Sequence, residues 1–71
     1  MEEIKKILEL YILWYNLGVS YIELKRFNRA IDAFKRSLEI DKTFESAWEL
    51  LGYSYGQIEE HEKEIEAYLK D

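Results

Sequence analysis

The sequence predicts an all-α domain of antiparallel helix pairs, and three observations predict it. The 71 residues contain no proline, so no position is barred from a helix interior. Apolar residues recur at spacings of three and four, the period of one helix face. The chain also repeats itself at an offset of about 34 residues. Trp14, Leu17, Gly18, Ser20 and Tyr21 return as Trp48, Leu51, Gly52, Ser54 and Tyr55; Ile31, Ala33 and Phe34 return as Ile65, Ala67 and Tyr68.

Each element follows from that pattern. Trp14, Leu17, Tyr21 and Leu24 form one stripe, and Ile4, Ile7, Leu8, Tyr11 and Ile12 extend it upstream with no breaker, so the first helix is expected over residues 2–24. Asn28 is a suitable N-cap for a second helix over 28–40, whose stripe is Ile31, Phe34 and Leu38. Asp41, Thr43 and Ser46 supply turn and capping chemistry before a third helix over 44–57, started by Thr43 or Ser46. A fourth helix is expected over 60–70. Every residue from Gln57 to Glu66 tolerates helix, so the third and fourth helices are also compatible with one continuous rod exchanged between copies. The expected core is Trp14, Leu17, Tyr21, Ile31, Phe34, Trp48, Leu51 and Tyr55.

The Trp, Leu-Gly and Tyr of each half, followed by Ala and an aromatic residue, resemble the signature of the tetratricopeptide repeat. The resemblance divides a single 1–71 domain into a helical extension (1–10), a first repeat (11–44) and a second, truncated repeat (45–71). It implies helix pairs stacked as a short right-handed superhelix. It also implies that Gly18 faces Ala30 where the paired helices approach closely, and that Glu64 takes the place of that alanine opposite Gly52. A carboxylate there is costly to bury, which leads us to expect a splayed or half-docked last helix. The family's usual glycine between paired helices is missing: the two turns read Lys25-Arg26-Phe27-Asn28 and Glu59-Glu60-His61-Glu62.

Composition excludes several functions. With 48% apolar and 35% charged residues the chain is too hydrophobic for a disordered tail, and its longest uncharged run, Leu10 to Ile22, is too short for a membrane span. Lys5 and Lys6 precede an apolar stretch as in a signal peptide, but Glu2, Glu3 and Glu9 and the helical spacing oppose that reading, and a cytoplasmic location is expected. There is no cysteine, and His61 is a lone histidine among glutamates, so no metal site or other cofactor is expected. No nucleophile-base pair or phosphate-binding glycine loop is present, and an enzyme is not expected. Lys25, Arg26, Arg29, Lys35 and Arg36 form a small basic patch. The net charge of −5 outweighs it, so nucleic acid is not an expected partner. Charge is also divided: residues 11–44 carry six basic and four acidic side chains, residues 45–71 two basic and eight acidic.

The expected function is therefore a protein-protein interaction module. The resemblance implies a concave groove lined by Ile12, Tyr15, Asn16, Val19, Ile22 and Glu23 from the first repeat and by Glu49, Tyr53 and Gln57 from the second. Tyr15 and Val19 replace the lysine and asparagine with which chaperone-adaptor members grip a terminal carboxylate. A hydrophobic segment with basic flanks suits the strip better. The alternative is self-association as a homodimer, because two repeats fall short of the roughly three that stacking usually needs. Ile4, Ile7, Leu8 and Tyr11 at one end and Ile65, Tyr68 and Leu69 at the other would be covered in it.

Overall fold

The computed structural model describes residues 2–70, apart from the side chains of residues 2, 4 and 8. The self-association contacts expected of Ile4 and Leu8 thus lie outside the described residues. Four helices follow one another: α1 (Glu2–Glu23), α2 (Phe27–Ile40), α3 (Glu45–Gln57) and α4 (His61–Leu69). Each packs on the next, and α3 also meets α1, so α2 and α3 form the interior of the stack and α1 and α4 its flanks.

The core gathers where α2 meets its neighbours. Ala30, Ile31, Phe34 and Leu38 of α2 pack with Ala47, Leu51 and Tyr55 of α3 and Ala67 of α4. Phe34, fully buried, lies against Gly18: a Cβ there would come within 2.5 Å of the Phe34 ring, so the ring occupies the space a side chain would need. Two buried serines are satisfied by helix carbonyls. Ser37 donates to the Tyr11 carbonyl of α1 at 2.7 Å, and Ser54 to Leu50 one turn back at 2.8 Å.

Four expectations need correction. Leu17 is 39% exposed, whereas its repeat counterpart Leu51 is 4% exposed. The reason is positional: α2, from the preceding repeat, covers the α3 stripe, and among the described residues no helix plays that part for α1. Trp14, Tyr21 and Trp48, also assigned to the core, are half-buried. The helix starts differ as well. Arg26 and Phe44 occupy the N-cap positions of α2 and α3, neither with a side-chain hydrogen bond, and Asn28 lies within α2. Asp41 and Thr43 act in the turn instead: the Asp41 carboxylate accepts from the Thr43 amide (3.0 Å) and hydroxyl (2.6 Å). The same turn is tied to α3 by the Trp48 indole, which donates to the Lys42 carbonyl at 2.8 Å.

The third correction concerns the rod. The chain turns sharply between α3 and α4, and it does so as it does between α1 and α2. Lys25 and Glu59, at the same repeat position, adopt left-handed backbone with φ of 60° and 63°. Around each runs the hydrogen-bond pair of a Schellman motif, Arg26 to Tyr21 with Lys25 to Ile22, and Glu60 to Tyr55 with Glu59 to Gly56. The motif forms with lysine and glutamate at the position glycine prefers, so the α3–α4 hairpin closes within the chain.

The fourth is the seat of Glu64. Gly52 faces the ring of Tyr68, and Glu64 lies over Gly56, where a Cβ would come within 2.7 Å of its carboxylate. In the first repeat the corresponding pair is Ile22 with Ala30, so the large and small partners have exchanged helices. Glu64 is not buried uncompensated: it is partly exposed, and His61 lies 2.9 Å from its oxygen. The α3–α4 pair is therefore docked rather than splayed.

Candidate interaction surfaces

Among the residues of the expected groove, helical spacing puts Ile12, Tyr15, Asn16, Val19, Ile22 and Glu23 along α1. Ile12 and Tyr53 are each 41% exposed, and Asn16, Glu23, Glu49 and Gln57 are also open to solvent. Val19 and Ile22 are half-buried against the core, adding apolar surface to the strip. Tyr15 has a second duty. Its ring lies between Phe34 (centroids 5.8 Å apart) and Phe44 (4.8 Å), so much of it packs the fold. Tyr53 rests edge-on against Phe27 at 6.3 Å, which limits its rotamers while leaving part of the ring open.

Of the residues expected to self-associate, Ile7, Ile65, Tyr68 and Leu69 are exposed. Tyr11 is not free in the same way: its ring meets Phe44 edge-on at 5.1 Å and it is half-buried. The ring of Tyr68 covers Gly52 and is partly desolvated there. That desolvation, followed by the nearby charge of Glu64 and Glu49, holds its phenol above the usual 10.0.

Sequence reasoning missed one concavity. A cleft of about 740 Å³ opens between α2, α3 and α4, with Leu38, Trp48, Leu51 and Tyr55 on its walls, and it shares no residue with the expected groove. Lys35, Lys42, Lys63 and Lys70 border it, two of them placing their ammonium groups 5.9 Å (Lys35) and 5.8 Å (Lys63) from the Tyr55 ring. The repeat offset was the signal that pointed to it. Trp14, Leu17, Tyr21, Arg29, Asp32, Ala33 and Arg36 line a smaller hollow of about 140 Å³, and each is the counterpart of a residue in the larger cleft. The first repeat thus carries the same surface, and among the described residues no helix walls it as α2 walls that of α3.

No group of acidic residues or histidine among the described residues is arranged to hold a metal ion. No helix among them is long and apolar enough to cross a membrane. Comparison with known proteins gives no match to a curated protein or to a solved structure. Two models of the tetratricopeptide repeat do match, one over residues 11–44 and one over residues 45–70. With both helix pairs, both Leu-Gly sites and both turns falling at equivalent positions inside those matches, the chain belongs to the tetratricopeptide repeat family.

Proposed function

We propose that the chain is a non-catalytic module that binds a polypeptide along the α1–α3 strip of Ile12, Tyr15, Asn16, Val19, Ile22, Glu23, Glu49, Tyr53 and Gln57. Tetratricopeptide repeats are generally protein-protein interaction modules, and this chain contains two. The observation that carries the reading is the exposure of two large apolar side chains, Ile12 and Tyr53, on a strip edged by Glu23 and Glu49. Such a strip suits a segment with apolar anchors and basic flanks. Ile12→Lys and Tyr53→Lys should weaken a peptide of that kind in calorimetric titration while leaving the helical circular dichroism intact. Tyr15→Lys is a poorer probe, since it also removes a packing ring. Apolar anchoring predicts little change of affinity with salt; tight, salt-sensitive binding of an acidic C-terminal peptide would overturn the reading.

A second reading, self-association as a homodimer, is favoured by the aliphatic side chains left open at both ends of the stack, Ile7 and Leu10 on α1 and Ile65 and Leu69 on α4. Sedimentation equilibrium decides it: a mass that stays at one chain across the micromolar range removes self-association. Ile7→Lys with no effect on an observed dimer would remove the α1 overhang as its cause.

A further inference from the structure

Inside the chain, one seam joins the repeats: Asn28, Ile31, Asp32 and Lys35 of α2 face Tyr55, Ile58, Glu60 and Lys63 of the second repeat across one cleft. Ile31 and Tyr55 are buried at its centre. Advanced by one repeat, the α2 side of this seam becomes Glu62, Ile65, Glu66 and Leu69 on the outer face of α4. Moved back by one repeat, the opposite side becomes Tyr21, Leu24, Arg26 and Arg29 at the other end of the stack. These two faces carry the counterparts of the residues that line that cleft, and among the described residues no helix covers either. Leu24 is 64% exposed, Ile65 58% and Leu69 74%.

The charges on the two end faces differ from those of the internal seam in a telling way. Within the chain each side is balanced, Asp32 with Lys35 and Glu60 with Lys63. At the ends the balance is gone: the α4 face has Glu62 and Glu66 and no basic residue among its four, and the other has Arg26 and Arg29 and no acidic one. Docking in the internal register would bring Glu62 and Glu66 to the same cleft as Arg26 and Arg29, as Asn28 and Asp32 share one with Glu60 and Lys63. The lysine of α2 is replaced by Leu69, which adds apolar surface at the ring of Tyr21. Opposite charges placed in this way favour the encounter and fix its register.

We infer that the α4 face of one copy docks on the Leu24–Arg29 face of a second copy in the register of the internal α2–α3 seam, an inference that rests on the self-association reading and names its geometry. Such a joint is heterologous: each copy uses a different face, and both keep a free face after pairing. Assembly therefore continues beyond the dimer as an open chain or a ring.

The test uses two full-length variants, Leu24→Glu to block one face and Ile65→Glu to block the other. Both positions are exposed, and circular dichroism confirms that the helices remain. The unmodified chain should show a mass that rises with concentration in sedimentation velocity, past that of a dimer. Each variant alone should lose about tenfold or more in association constant, as expected for placing a carboxylate where an aliphatic side chain is buried. Mixed in equal amounts, the variants should form a one-to-one pair and nothing larger, because each retains the face the other lacks. As an independent check, Arg26→Glu/Arg29→Glu should abolish association, and adding Glu62→Arg/Glu66→Arg in the same chain should restore it. A dimer that survives both blocking substitutions overturns this register and leaves the self-association reading standing. A mass that never exceeds one chain overturns both.

Discussion

The two repeats place the same residue types at the same positions and yet give them different environments. Phe34 is fully buried while Tyr68, its counterpart, is half open; Leu51 is buried where Leu17 is not; Ser54 is buried and Ser20 exposed. The difference does not reside in the residues. Each of the better-buried members belongs to α2 or α3, the helices with neighbours on both sides, as a one-dimensional stack of repeats requires. Burial here is conferred by the adjoining repeat, and a position's stability contribution has to be assigned from its place in the stack.

Paired substitutions test this directly. The largest contrast is expected between Phe34→Ala and Tyr68→Ala. Removing the buried ring should cost about 3–5 kcal/mol, enough to unfold much of a domain this small, and removing the half-exposed one markedly less. Urea denaturation followed by circular dichroism reads both. Next comes Leu51→Ala, expected to cost about 2–4 kcal/mol, against Leu17→Ala at about 1 kcal/mol or less. Equal losses in the two repeats would break the comparison.

A smaller effect, and one in which the repeats should agree, lies in the turns. Lys25→Gly and Glu59→Gly each relieve a left-handed residue that bears a Cβ, and each should stabilise by up to about 1 kcal/mol. Midpoints that fail to rise would show that the turns are not strained as their φ angles indicate.

The smallest effect belongs to the connection between repeats. The Thr43 hydroxyl, and then its amide, hold the Asp41 carboxyl below its usual 3.8. A lowered native pKa favours the ionised form in the fold, so this contribution is present above pH 3.8 and is lost as the pH falls below it. Asp41→Asn should therefore reduce the acid sensitivity of the unfolding midpoint in that window, and an unchanged pH profile would separate the turn from the acid transition.

The helices were legible because their stripes are periodic, and every observed boundary falls within one residue of expectation. The duplicated Trp, Leu-Gly and Tyr made the pairing legible too. What could not be read was set by tertiary neighbours. The Schellman turn at Glu59 has no glycine to announce it, and only the carbonyls of Tyr55 and Gly56 reveal why the chain bends there. The exchange of large and small partners, Ile22 with Ala30 in one repeat and Gly56 with Glu64 in the other, involves two positions in each repeat and is hidden when each glycine is read alone. Of the candidate strip, exposure at Ile12 and Tyr53 matched the residue pattern. The wedging of Tyr15 between Phe34 and Phe44 did not, because Phe44 comes from the turn between repeats.

The Ser37 hydroxyl bond to the Tyr11 carbonyl, beside the edge contact of Tyr11 with Phe44, also marks a mechanical boundary in α1. Every described side chain upstream of Tyr11 is exposed, whereas Tyr11 is half-buried. A segment that short does not nucleate helix on its own, since the first turn fixes several residues for a single hydrogen bond. It is helical because it elongates a template already set at Tyr11. Its amides should exchange with solvent in a graded order, fastest in the first turn of α1 and slowing towards residue 11, where protection steps up to that of the packed body.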